Sequence, residues 1–137
     1  MGRIMGIDFG LKRTGIAVTD PQQIIVQGLD TVETVDLVSF LKEYAKREPI
    51  DEIVVGYPFV EGNWGDKGFK KKLDDFIVTL KKIFPEIPVN LHDERFTSVQ
   101  AREIIRFSVK KKSQREDNRL LDRTSAILIL QEYLGHI

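Results

Sequence analysis

The apolar residues of this 137-residue chain change their spacing near residue 34. Before that point they alternate with polar residues, which is the period of a β-strand. Three strands are predicted, over residues 3–9, 14–19 and 24–32. Residues 10–13 and Asp20–Pro21 supply turn chemistry between them. The opening of the chain is therefore predicted to form an antiparallel β-meander.

Beyond residue 34 the apolar residues recur at helical spacing, and short apolar runs separate the helical stretches. Thr34 is predicted to cap the first helix. Predicted helices cover residues 34–47, 68–84, a stretch after 97 and 120–134; predicted buried strands cover 52–56 and 89–92; residues 108–119 are predicted to be polar and mobile. Helical crossovers would place the fourth and fifth strands parallel to the first. The pattern predicts an α/β fold, a mixed sheet with helices on both faces.

Composition limits the class of protein. A hydrophobic content of 42% over 137 residues fits one domain, residues 1–137. The absence of cysteine excludes disulfides and thiolate metal sites. Arg3 and Asp8 interrupt any apolar signal segment, and the longest apolar run is too short to span a bilayer, so a cytoplasmic protein without membrane attachment is expected. Lysines plus arginines balance acids at 21 each, so the net charge gives no support to nucleic-acid binding.

Acidic residues stand at the ends of three predicted elements. Asp8 ends the first strand, Asp93 and Glu94 end the fifth, and Asp122 opens the last helix. The carboxyl ends of parallel strands share one edge of a sheet, where ligands bind. Carboxylates that converge there repel one another unless a divalent cation holds them together. A carboxylate-bound metal beside basic side chains suits phosphodiester hydrolysis, so a nuclease-type site is predicted.

Each of these acids also has a simpler interpretation. Asp122 could be a first-turn acid that the helix dipole favours, and Asp8 could be a polar residue that starts a turn. Adjacent strand residues point to opposite faces, so Asp93 and Glu94 should not share one role. We favour Glu94 as the metal ligand. Arg95 could grip a phosphate, or could form a local ion pair of little value.

Several basic and aromatic residues are weaker candidates. Lys12 and Arg13, in the first turn, are within reach of Asp8 and could contact phosphates. It is equally consistent with the sequence that they form an exposed hairpin tip without such a role. The lysine clusters at 70–72, 81–82 and 110–112 are more typical of a solvated surface than of a binding patch. His92 is expected to pack at a strand end, and Trp64 to cover the sheet edge rather than stack on a base.

Four segments resemble motifs of the YqgF family, which is also called the Holliday junction resolvase or pre-16S rRNA nuclease family. They are residues 8–20 (DFGLKRTGIAVTD), 55–58 (VGYP), 93–97 (DERFT) and 122–130 (DRTSAILIL). The segments occur in the family's order and span nearly the whole chain. Two positions depart from the pattern: Ser125 stands where alanine is usual, and the loop after Pro58 lacks the usual Asn-rich and Gly-rich stretch.

The resemblance implies a ribonuclease-H-like fold with a mixed five-stranded sheet, and a bacterial cytoplasmic nuclease that uses divalent metal. It implies Asp8, Glu94 and Asp122 as the catalytic, metal-binding acids, and Arg13 and Arg95 as substrate contacts. Our hypothesis is hydrolysis with two Mg²⁺ or Mn²⁺ ions when substrate is bound. Lys110 and Lys111, with Lys12, would contact the substrate backbone.

Several functions remain open at this level. The first expectation is processing of the 5′ end of pre-16S ribosomal RNA, by a monomer or weak homodimer. The alternatives are resolution of four-way DNA junctions in recombination and repair, or nucleic-acid binding without catalysis. A third possibility is half of an actin-like or sugar-kinase ATPase, which also opens on Gly-Ile-Asp-x-Gly. The chain is short for the two lobes of such an ATPase.

Overall fold

The computed structural model describes residues 2–58, 67–93 and 114–137. Its elements, in chain order, are β1 (Arg3–Asp8), β2 (Arg13–Thr19), β3 (Val26–Glu33), a 3-10 turn (Thr34–Asp36), α1 (Leu37–Arg47), β4 (Ile50–Tyr57), α2 (Lys67–Ile83), β5 (Val89–Asp93) and α3 (Gln114–Tyr133). The predicted helix after residue 97 lies outside the described residues. Within those residues, no helix is both long enough and apolar enough to cross a membrane.

The five strands form one sheet in the order β3-β2-β1-β4-β5. β1 pairs antiparallel with β2, which pairs antiparallel with β3, so the predicted meander is confirmed. β4 runs parallel to β1, and β5 runs parallel to β4. The predicted mixed five-stranded sheet is thereby confirmed, with β1 at its centre.

Each face of the sheet has its own apolar layer. Helices α1 and α2 cover one face, through Leu41 of α1 and Leu73 and Leu80 of α2, which pack on Met5 and Ile7 of β1. Helix α3 covers the opposite face through a smaller cluster, made of Ile4, Ala17, Val54, Ala126, Ile129 and Leu130. Alternate residues of β1 therefore face different helices, as the period of two requires.

Two element boundaries differ from the prediction for local chemical reasons. β3 begins at Val26 rather than at residue 24, because the carboxylate of Asp20 accepts the backbone N–H groups of Ile24 and Ile25, each at 2.7 Å. A side chain that captures backbone donors competes with strand pairing. Thr34 does not cap α1: its hydroxyl instead donates to the carbonyl of Gly10 at 2.6 Å, and a 3-10 turn precedes the helix.

The last helix is longer than predicted. α3 begins at Gln114, so part of the stretch predicted to be polar and mobile is helical. The backbone carbonyl of Arg119 accepts a hydrogen bond from the Thr31 hydroxyl at 2.6 Å, which ties this first part of α3 to β3. Tertiary anchoring of this kind gives a charged segment a helical structure that apolar periodicity does not reveal.

Candidate functional site

Asp8 is the last residue of the central strand and lies at the sheet edge where β1, β4 and β5 all end. It stands directly opposite Gly15 of β2. Residues opposite each other in an antiparallel pair place their side chains on the same face, with Cβ positions about 4.5–5.5 Å apart. The face that Asp8 shares with Gly15 therefore decides which helix it meets.

At Gly15 the backbone of α3 comes very close to the sheet. A Cβ added to Gly15 would lie only 1.9 Å from the backbone carbonyl oxygen of Asp122. Only glycine allows a helix backbone to approach so closely. Asp8 and the part of α3 around Asp122 consequently lie on the same face of the sheet and at the same end, each next to Gly15.

The carboxylate of Asp122 is partly buried and paired with a guanidinium. Its Oδ2 accepts a hydrogen bond from Nε of Arg13 at 3.2 Å, and the two side chains are only 22% and 27% exposed. Burial raises the pKa of Asp122, while the hydrogen bond and charge of Arg13, and the charge of Arg119, act in the opposite direction. A desolvated carboxylate with a specific cationic partner, near the ends of the parallel strands, is a candidate for function.

The turn between β1 and β2 is held in place by a set of threonine hydroxyl contacts. Thr14 is fully buried, and its hydroxyl lies 3.0 Å from that of Thr34. The backbone N–H of Thr34 donates to the carbonyl of Lys12 at 2.8 Å. This network fixes the turn that carries Lys12 and Arg13, and it leaves Lys12 exposed at the rim near Asp8.

The remaining predicted residues do not lie beside Asp8 and Asp122 in the described structure. Asp93 pairs with Tyr57, whose hydroxyl donates to Asp74 of α2 at 2.8 Å, so Asp93 lies on the α1–α2 face, away from Asp122. The remaining predicted site residues lie outside the described residues; they are Glu94, Arg95, Lys110 and Lys111. Their roles, like that of Asp8, stay predictions.

Arg119 is a neighbour of the site that sequence reasoning missed. Its guanidinium donates to the carbonyl of Thr31 at 2.7 Å and to the carboxylate of Glu33 at 3.0 Å. These bonds hold α3 against β3 three residues before Asp122. Arg119 stands three residues before Asp122, a spacing that makes two residues neighbours on a helix and could have predicted this position. The residue was missed because it lay in a stretch predicted to be mobile.

The far end of α3 is fixed by a second polar cluster. The hydroxyl of Tyr133 donates to Glu52 of β4, which also accepts from the side-chain amide of Asn90 at 2.7 Å. His92 packs edge-on against the ring of Tyr133, with ring centroids 6.0 Å apart, and its Nε2 lies 3.3 Å from Glu132. Both ends of α3 are thus bonded to the sheet, which sets the position of Asp122.

The donor set fits a divalent cation in part. Asp8 and Asp122 offer carboxylate oxygens, the ligands that Mg²⁺ and Mn²⁺ prefer. Within residues 2–58, 67–93 and 114–137, no three metal-ligating side chains come together. The third predicted ligand, Glu94, directly follows the last described residue of β5.

Comparison with known proteins supplies the family. A family model for RuvX, described as a Holliday junction resolvase, matches residues 2–136. The chain belongs to the RuvX family. This result confirms the resemblance to the YqgF family, which is the same family.

Curated relatives of the RuvX family match this chain over nearly its full length. A protein of Bacteroides thetaiotaomicron is 45% identical over 134 residues, covering 98% of this chain and 96% of the relative. A protein of Porphyromonas gingivalis is 46% identical over 136 residues, covering 99% and 98%. Both carry the name "Putative pre-16S rRNA nuclease".

Solved structures support the ribonuclease-H-like fold expected for a RuvX-family protein. RuvC of Thermus thermophilus superimposes with a TM-score of 0.56 at 12% identity, covering 97% of this chain and 96% of RuvC. RuvC in complex with a Holliday junction substrate superimposes with a TM-score of 0.54 at 15% identity, covering 98% and 97%. At these identities the likeness establishes the fold alone.

Proposed function

We propose that this protein is a divalent-metal-dependent endonuclease that cuts phosphodiester bonds in structured nucleic acid, and that it processes the 5′ end of pre-16S ribosomal RNA in the cytoplasm. The observation that carries the proposal is the position of Asp8 and Asp122 at the same end of one sheet face. Asp8 stands opposite Gly15, the Asp122 backbone packs on Gly15, and the fold resembles that of RuvC.

Asp8, Asp122 and Glu94 are the residues that would hold Mg²⁺ or Mn²⁺. When bound, the metal supplies activation of water and stabilisation of the charge on the leaving oxygen. Arg13 favours the ionised form of Asp122, because its guanidinium donates to that carboxylate. Lys12, which is exposed on the same turn, is placed to contact a backbone phosphate.

Two substrates deserve direct comparison. The names of the relatives favour a ribosomal RNA precursor. The family description and the RuvC complex favour a four-way DNA junction, which is the second candidate. The protein would act on either as a monomer or weak homodimer.

Cleavage assays with both substrates test the proposal. A pre-16S RNA fragment and a four-way DNA junction are incubated with Mg²⁺ or Mn²⁺ and each protein. Asp8→Asn should lower the cleavage rate by more than about 100-fold, since changes even to partners of metal ligands reduce activity by about 10–100-fold. Asp51→Asn is the matched control, because Asp51 is exposed at the opposite end of the sheet.

The outcomes separate the candidates. Cleavage of the RNA alone supports the ribosomal role, and cleavage of the junction alone supports the second candidate. Unchanged cleavage by Asp8→Asn contradicts the proposed site. Tight binding of both substrates with no turnover would mean a binding module without catalysis.

A further inference from the structure

The lysines of the described residues are concentrated on the face of the sheet that does not carry Asp8. Helices α1 and α2 hold nine lysines and arginines against three acids, whereas the whole chain is balanced at 21 each. Both helices bury their apolar sides on the same sheet face, so their polar sides form one outer surface. Seven exposed lysines define what we call the lysine face: Lys42, Lys46, Lys70, Lys71, Lys72, Lys81 and Lys82.

Of the three acids on these helices, Asp75 is exposed one turn from Lys71 and Lys72, and the other two neutralise the lysine face little. Asp74 accepts the hydroxyl of Tyr57 at 2.8 Å, which directs it toward the end of β4. Glu43 pairs with Lys46 at 3.3 Å, but the side chains are 70% and 73% exposed. An exposed pair of this kind is weak and is screened by salt. The excess of nine basic residues over three acids gives the two helices a net positive charge, which attracts an anionic partner.

The lysine face begins beside the candidate site. The ring of Phe69 on α2 lies 6.1 Å from that of Phe9, the residue that follows Asp8. Lys70, Lys71 and Lys72 come immediately after Phe69. A helix rises about 1.5 Å per residue, so α2 carries lysines for about 16 Å from Lys71 to Lys82. Positive charge thus extends from the end of the sheet that carries Asp8 along the face covered by α1 and α2.

The far end of the lysine face is concave. An open groove of about 480 Å³ runs between α1 and the end of α2, with Lys42 and Lys46 among its lining residues and Phe84 on the other side. No aromatic side chain on the described parts of α1 and α2 is fully exposed. Stacking on unpaired bases needs such a ring. The chemistry of this surface suits backbone phosphates rather than bases.

We infer that the lysine face binds the sugar–phosphate backbone of a double-stranded part of the RNA substrate, outside the segment that is cut. The inference rests on the proposed nuclease function and specifies how that enzyme holds a structured substrate. Lysine is a compact, strongly charged phosphate ligand, and several of them along a helix match a repeating anionic backbone. Binding of this kind reads duplex shape rather than sequence.

Salt-dependent binding of duplex RNA tests the inference. Fluorescence anisotropy is measured in metal-free buffer from about 50 to 200 mM salt. Lys71, Lys72, Lys81 and Lys82 are replaced together, by glutamine in one protein and by arginine in the control. Glutamine has a helix propensity near that of lysine, so α2 should persist.

The glutamine protein should bind duplex RNA at least about tenfold more weakly, and the slope of log K against log salt should fall by about 3. The arginine control should bind as the wild type does, because it keeps the charges. Equal affinity and slope for the wild-type and glutamine proteins would overturn the inference. Loss of binding to phosphatidylserine vesicles, with RNA binding unchanged, would also overturn it and would assign the face to a membrane.

Failure here is distinguishable from failure of the nuclease proposal. Asp8→Asn should lose cleavage but keep the wild-type salt slope for duplex binding. If Asp8→Asn still cleaves, the catalytic proposal fails whatever the lysine variants do. If it loses cleavage while the glutamine protein binds normally, the catalytic proposal stands and the lysine face has no part in RNA binding.

Discussion

At the scale of single residues, the pairing of Asp122 with Arg13 controls the charge at the candidate site. Burial favours the neutral acid and raises its pKa, and the guanidinium 3.2 Å away favours the carboxylate. Only the ionised form is a good metal ligand. Arg13 therefore has a structural role at the site in addition to any contact with substrate.

Arg13→Gln should raise the pKa of Asp122 further, because burial remains and the compensating charge is removed. The measurement is a carbon-13 NMR titration of the Asp122 carboxyl in metal-free protein. Arg3→Gln is the control, since Arg3 pairs with Glu48 at 3.4 Å, away from the site. An Asp122 pKa that stays at its wild-type value in Arg13→Gln would show that Arg13 does not control the ionisation of the Asp122 carboxyl.

The free energy of unfolding of Arg13→Gln should be lower than that of the wild type by about 1–2 kcal/mol at neutral pH. This value lies between those for the loss of exposed ion pairs and of fully buried ion pairs. A raised carboxyl pKa means that ionisation of Asp122 opposes folding above that pKa, and that the penalty disappears as pH falls through it. The stability gap between wild type and Arg13→Gln should therefore narrow on acidification. Urea unfolding across the acidic range would measure it, and a gap that widens would contradict the assignment.

At the scale of secondary-structure elements, the contact between α3 and β2 positions Asp122. Gly15→Ala should destabilise the protein by about 1–3 kcal/mol or more, because the new methyl group would overlap a backbone carbonyl at 1.9 Å. Gly28→Ala is the matched control on the neighbouring strand. Its methyl group would meet side chains alone, the tip of Ile127 at 3.3 Å and, at ordinary contact distances of 3.7 and 3.8 Å, Arg123.

Thermal unfolding of the two variants, together with metal-dependent cleavage, checks this prediction. Gly15→Ala should lose both stability and activity, since α3 must shift away from the sheet. Gly28→Ala should stay close to the wild type in both. Equal effects of the two substitutions would mean that close approach at Gly15 does not hold the site together.

The turn before β3 carries a pH-dependent contact. Backbone N–H groups, that of Ile25 first, lower the pKa of Asp20 from its usual 3.8. A lowered carboxyl pKa contributes stability that is present above the unfolded value and is lost as pH falls through the folded value. Asp20→Asn should therefore show a smaller loss of stability on acidification than the wild type. Urea midpoints at a series of acidic pH values measure this, and identical pH dependence would refute it.

Element boundaries show where sequence reasoning reached its limit. The strands and helices were predictable from apolar period, because burial on one or two faces imposes that period. The start of β3 and the residue that precedes α1 could not be predicted in this way. Asp20 and Thr34 form hydrogen bonds with backbone groups that the apolar pattern does not identify. The last helix begins before the predicted residue 120, and its first part, at Arg119, is bonded to Thr31, which is 88 residues away in the sequence.

At the scale of the whole molecule, the topology places Asp8 and Asp122 at the same end of one face of the sheet. Helical crossovers were expected to make β4 and β5 parallel to β1, and the order of strand and helix patterns in the sequence was enough to predict this. That Asp122 lies near Asp8 was a hypothesis from the sequence; the structural reasons for its position, the close packing of α3 on Gly15 and the bonds at both ends of α3, could not be read from the pattern. The charge segregation onto α1 and α2 was hidden by a net charge of zero.

Calorimetric titration of Mn²⁺ into the wild type, Asp8→Asn, Asp122→Asn and the double variant tests most directly whether the two carboxylates share one cation. If they do, each single variant should bind Mn²⁺ more weakly by about 10–100-fold or more. The double variant should then bind little more weakly than either single variant, because both residues serve one site. Wild-type affinity in either single variant, or losses that simply add in the double variant, would contradict the shared site.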